Sequence, residues 1–373
     1  MYSIYQVMNK RALSIIFVTV GILAVTGVAI LAAKGYRFDR RTGALRGTGI
    51  ISVSSIPSGA AIFLDGELTS ASNNTINDLD PKSYVLKVSK DGFSTWQKQV
   101  IVEASKVTLV DVTLFPVAPD LRPLTFTGVS SPQLSPDGQK IAYAITDPTK
   151  AGLWVLDITN RPFTFSRDPK QVAKDSATFT FSKATFSWTP DSKTLLVTGS
   201  TNKVGLSSAK SVAYLLDGDR LNDSPVDTLN SLDQIKVGWQ TDLDLKSKDR
   251  FSRLPESVKP LATDSAKIKW SPDEAKVALE KDHQIQVYDL KKDTWGPVGT
   301  PKDYSWYPDS AHLILVDDGI ISIVETDGSN KTTIYAGSFE SNLVFPWPDG
   351  SKLVILASFN KAAGANLYSI NLR

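Results

Sequence analysis

The sequence predicts a mainly β protein: an N-terminal transmembrane helix, a small β-sandwich, then a β-propeller with helical insertions. Three observations carry this. An uncharged apolar run, Ala12 to Ala33, stands near the N-terminus. Residues 47–116 alternate as short strands broken by glycine turns. From there to Arg373 a Pro-Asp turn recurs five times, each copy followed by an alternating strand.

Composition narrows the chemistry. Lys and Arg number 41 against 39 Asp and Glu, so no polyanion, and no nucleic acid, is implied as partner. There is no cysteine, which removes disulfides, thiolate metal sites and cysteine nucleophiles. His283 and His312 are the sole histidines, too few for a histidine-rich metal site. Neither a P-loop nor a dinucleotide fingerprint occurs, and no cofactor is expected.

Ala12–Ala33 is long enough to cross about 30 Å of hydrocarbon as a helix. Lys10 and Arg11 precede it; Lys34, Arg37, Arg40 and Arg41 follow. A cleaved signal peptide competes, but its apolar region is usually shorter, and Leu31 would sit badly before a cut after Ala33. We therefore expect an uncleaved anchor, with residues 1–11 a cytoplasmic tail and 34–46 a linker. The positive flank at 34–41 argues for the opposite orientation. Large domains translocate largely regardless of charge, however, and a short basic N-terminal pair suits an anchor with its N-terminus inside.

Within 47–116, Ile50–Ser54 alternates, Pro57-Ser58-Gly59-Ala60 turns, and Ala61–Leu64 ends in the hairpin signal Asp65-Gly66. Tyr84–Ser89, Gln99–Glu103 and Val107–Leu114 are further strands, with Lys90–Phe93 a turn. These features resemble the PEGA domain, a small β-sandwich; Ser58 departs from its Pro-Glu-Gly-Ala signature. Pro81-x-x-Tyr84 and Gly92-Phe93 also match that family. The resemblance implies a surface-protein module for interaction rather than catalysis. Val117–Asp120 is a short link onward.

The repeat is clearest at Ser135-Pro136-Asp137-Gly138 and returns at Pro190-Asp191, Pro272-Asp273, Pro308-Asp309 and Pro348-Asp349. Proline presets φ for a tight turn, and aspartate bonds its own backbone two residues on. Four residues after each Asp stand Ile141, Leu195, Val277, Leu313 and Leu353; two further on stand Tyr143, Val197, Leu279, Leu315 and Ile355. That is period two with one face buried. Trp188, Trp270 and Trp306 each precede their Asp by three. Second strands are expected at Leu153–Asp157, Val212–Asp217, Ile285–Asp289, Ile320–Glu325 and Leu367–Asn371. Such units must stack on their neighbours, as in a propeller. Residues 119–373 resemble the TolB-type or WD-like propeller repeats, which are specific for fold and weak for function.

The repeat lapses between Asp191 and Asp273. Val237–Asp242, with Trp239 three before Asp242, looks like a sixth blade's opening. Phe251, Leu254, Val258 and Leu261 fall at helical spacing, and Pro255 should interrupt them. Upstream, Ser224-Pro225-Val226-Asp227 reads as a helix start. Helices are thus expected near 225–233 and 242–262 in a six-bladed ring, five being the alternative. Thr241 or Asp242 would cap the second. Insertions often map to the binding face, so Lys246, Lys248, Arg250 and Arg253 are the candidate partner-binding residues.

Other candidates read as structural. The five turn aspartates are turn formers. His312 should face solvent, and His283 lies in a hairpin turn. Asp217-Gly218-Asp219 and Asp242-Leu243-Asp244 are weak calcium candidates. No Gly-x-Ser-x-Gly nucleophile elbow occurs, so a hydrolase is disfavoured. The expected function is a membrane-anchored surface binding or scaffolding protein whose partner is a protein or a surface polysaccharide. The alternatives are an envelope-complex component docking through its propeller and, further off, a surface enzyme.

Overall fold

The computed structural model describes residues 10–33, 36–38, 45–159, 168–202, 209–340, 343–359 and 364–373. Residues 1–9 of the expected tail 1–11 and the flanking Lys34, Arg40 and Arg41 lie outside them; Lys10 and Arg11 begin the first helix. The chain divides into two compact units, Met1–Leu114 and Phe115–Arg373.

The first unit opens with helix α1, Lys10–Ala33. Its stretch Leu13–Leu31 is long and apolar enough to cross a membrane, and none of it is buried. Two sheets follow. One orders Asn74–Leu79, Gly49–Ile56 and Val107–Thr113; the other orders Glu67–Ala71, Ala61–Leu64, Ser83–Ser89 and Trp96–Ile101. Gly49–Ile56 and Val107–Thr113 run parallel, Ile50 opposite Val107. Ile51, Val53, Ile62, Leu86, Val88 and Trp96 form the core between the sheets. Asp65 and Gly66 both have positive φ, as a two-residue hairpin of this twist requires. At the signature turn Gly59 has φ +73°, and Ala60 is fully buried, its N–H donating to Ser72 Oγ at 2.9 Å. The strand expected at Gln99–Glu103 is Trp96–Ile101 instead, because Trp96 and Val100 supply its buried face.

Among its described residues the second unit holds five antiparallel meanders, which we call blades. The first comprises Ser130–Leu134, Lys140–Ile145, Gly152–Asp157 and Lys170–Lys174. The second comprises Thr185–Trp188, Thr194–Ser200 and Ser211–Asp217. The third runs from Lys267–Trp270 to Thr294–Gly299, and the fourth from Asp303–Trp306 to Thr332–Ala336. The fifth joins Val344–Pro346, Lys352–Ala357 and Asn366–Asn371 to Leu121–Pro123 from the start of the unit. Pairing the unit's first strand with its last ties the two ends of the propeller unit together in one blade.

The alternation rule understates burial. Ile141, Leu195, Val277, Leu313 and Leu353 are buried as expected, but so are Ala142, Leu196, Ala278, Ile314 and Val354 on the opposite face. A neighbouring blade or the helical segment between the second and third blades packs on each side, so both faces of each second strand become core. Ile314, Ile321 and Ile323 meet Leu353, Ile355 and Ile370; Val354 and Leu367 meet Ile141 and Tyr143.

The five turns share one geometry. In each, the residue two before the Asp donates its N–H to the carbonyl three after it, for example Ser135 to Lys140 and Trp347 to Lys352. Each Asp accepts a backbone N–H two residues on, at 3.1 Å for Asp137, Asp191 and Asp273 and 2.8 Å for Asp309 and Asp349. The tryptophans are fasteners between blades. Trp188 Nε1 donates to Gln133 O at 3.1 Å, and Trp306 Nε1 to Lys269 O at 2.9 Å.

Six blades were expected with five as the alternative; the described residues contain five. Val237–Asp242 is not a strand but lies inside helix α2, Leu232–Ser252. The two expected helices also change shape. Residues 225–228 are not helical: Asp227 bridges Tyr214, and its carboxylate accepts the N–H groups of Ala213 and Leu229. That ties the segment to the second blade and delays the helix. Thr241 does not cap a helix; its hydroxyl donates to Val237 O within α2. Pro255 does separate α2 from the short helix α3, Lys259–Thr263.

Candidate functional site

The helical insertion lies between the second and third blades. Four junctions of the ring are blade against blade. Between the second and third blades the described residues form no shared core. Instead Leu232 and Trp239 of α2 cover Leu196 and Ala213 of the second blade. Leu254, Val258 and Ala262, around α3, cover Val277, Leu279 and Tyr288 of the third.

One residue shows how the insertion is held. The position after each turn Asp has positive φ: Gly138, Ser192, Glu274, Ser310 and Gly350. Ser192 Oγ accepts the N–H of Asp137 at 3.0 Å, and Ser310 Oγ that of Asp273 at 3.1 Å. These bonds link consecutive blades. Glu274 has no preceding blade beside it and takes two arginines of the insertion. Arg250 Nη2 lies 2.7 Å from Oε1, and Arg253 Nη2 2.5 Å from Oε2. Hydrogen bonds from Arg253 and then Arg250 pull the Glu274 carboxyl down from 4.5 to about 2. Arg253 also lies over the Trp270 ring, 5.4 Å from its centre.

Beside this anchor runs a groove of about 630 Å³, lined by Lys248, Arg250, Phe251, Lys259, Ile268 and Trp270 among others. No acidic side chain lines it. The four expected partner residues are thus separated. Lys248 and Arg250 line the groove, Arg253 is held by Glu274 and Asp249, and Lys246 is exposed without lining it. Glu274 was missed, although an acid where other copies carry Gly or Ser was a visible signal.

The remaining candidates are occupied by structure. His312 was expected in solvent but is buried, because the Phe115 ring lies edge-on 5.3 Å away. Its Nδ1 is 2.7 Å from Asp309 Oδ2. His283 follows Asp282 in a hairpin turn, both with positive φ. Asp217 pairs with Arg220, Asp219 with Lys140, and Asp244 accepts from Gln240. The arrangement at the insertion offers cations, an apolar floor and a carboxylate already spent on two arginines.

The architecture defines a class: a helix of membrane-spanning length, a two-sheet β-domain and a β-propeller on one chain. Residues 48–118, which hold the two-sheet domain, match the PEGA domain family. Among curated proteins no sequence relative matches the chain. Solved structures include a protein assigned as TolB from Agrobacterium tumefaciens, 17% identical with a TM-score of 0.23, covering 64% of this chain and 70% of its own. A eukaryotic initiation factor is 13% identical with a TM-score of 0.21, covering 77% of this chain and 62% of its own. Scores this low add nothing to what the strand order establishes.

Proposed function

We propose that the chain is a single-pass membrane protein whose PEGA domain and propeller lie outside the cytoplasm and serve as a binding or scaffolding module. Residues 1–11 are then the cytoplasmic tail, 12–33 the anchor, 34–46 the linker, 47–116 the sandwich and 117–373 the propeller. The observation that carries the reading is the helical insertion between the second and third blades, which presents a cation-lined groove. Exposed loop and insertion residues on a rigid scaffold are where binding surfaces concentrate. The α1 helix, long and apolar enough to span, supports the anchor.

Cell fractionation tests the topology. The protein is expected to stay with membranes through a carbonate wash, and protease added to intact cells should remove the propeller. A propeller protected until lysis would reverse the orientation, and release by carbonate would remove the anchor.

A further inference from the structure

We propose that the groove between the end of α2, α3 and the first strand of the third blade binds an acidic peptide segment of a partner protein. The bound segment sets a bulky apolar side chain between Phe251, Ile268 and Trp270 and a carboxylate against Lys248. This rests on the binding-module reading and names its partner chemistry.

Charge complementarity carries the choice. Lys248, Arg250 and Lys259 line the groove, and no acid does. Arg250 is shared with Glu274 and Lys259 with Glu256. Lys248 is exposed and has no ion pair among the described residues, so it is the cation free to meet an incoming carboxylate. The apolar part is open as well. Ile268, on the first strand of the third blade, is 41% exposed, and Phe251, on α2, is 36% exposed. A volume of about 630 Å³ suits one or two large side chains. A concave site with an apolar floor favours a peptide over a flat anionic bilayer, which would engage exposed lysines without filling the groove.

A random peptide library selected against the full-length chain in detergent micelles tests this. Recovered peptides should carry Asp or Glu next to Leu, Phe or Trp. Lys248→Glu should weaken them by at least about tenfold, the scale of a lost charge-assisted bond. Lys246→Glu, outside the groove, should change binding by less than about twofold, as exposed charges do. Both positions are exposed on α2, and unchanged melting temperatures verify folding. Neutral or basic peptides overturn the proposal. Acidic peptides indifferent to Lys248→Glu overturn the groove, and recovery of no peptide overturns the proposal; either leaves the binding-module reading standing. Binding to phosphatidylglycerol vesicles that Lys248→Glu abolishes, with no acidic peptide recovered, assigns the patch to a lipid surface and also overturns it.

Discussion

The residue after each turn aspartate has a left-handed backbone in every blade, yet only Gly138 and Gly350 are glycine. A side chain there costs about 1 kcal/mol or more, so Ser192, Glu274 and Ser310 must return something. They do so through their oxygens, which receive the neighbouring blade or the insertion. The two contributions can be separated at Ser310. Ser310→Ala keeps the backbone strain and strands the Asp273 N–H, and should destabilise by roughly 1–3 kcal/mol. Ser310→Gly strands the same N–H but relieves the strain, so it should lie about 1 kcal/mol above the alanine variant. Equal melting curves for the two would remove strain from the account. The turn itself was legible from Pro-Asp alone. The partner of each side chain was not, because Ser310 and Asp273 are 37 residues apart and meet only when blades stack.

At the scale of the element, α2 is held to the third blade through Glu274. Its carboxyl sits near 2 when folded and at about 4.5 when free. A depressed carboxylate stabilises the fold above its free value and loses that contribution as pH falls through its folded value. Glu274→Gln should therefore lower the melting temperature at pH 6, and the difference from the parent should shrink between about pH 4.5 and 2. The cost at pH 6 is on the order of 1 kcal/mol, since both arginines are partly open to solvent and salt screens them. A difference that stays constant over this range would show that Glu274 acts through packing. The helices were readable from the spacing of Leu254 and Val258. Their limits were not: Asp227 gives its hydrogen bonds to the second blade, and Trp239 imitates the repeat while packing as a helical residue. The outer strands Lys170–Lys174 and Thr332–Ala336 escaped notice for another reason. Each buries one or two apolar residues, Val172 and Ala173 or Ile334, too few to set a period.

For the whole molecule the decisive contact is between Leu121–Pro123 and Asn366–Asn371, the two ends of the propeller unit. Removing residues 366–373 takes away the strand that both closes the ring and completes the fifth blade. The expected result is loss of the cooperative propeller transition in thermal unfolding while the PEGA domain's transition persists; an unchanged propeller transition would show that closure is dispensable. The sequence by itself determined the apolar helix, the hairpins at Asp65-Gly66 and Asp282-His283, the five turns and the strands after them. All are set by neighbours within a few residues, where φ preferences and period-two burial act. Tertiary structure alone decided the parallel pairing of Gly49–Ile56 with Val107–Thr113, the closing strand, the burial of His312 under Phe115 and the packing of the insertion's helices between the second and third blades. Each of these joins segments distant in sequence, and which segments meet is settled by the faces left to bury once the local elements exist.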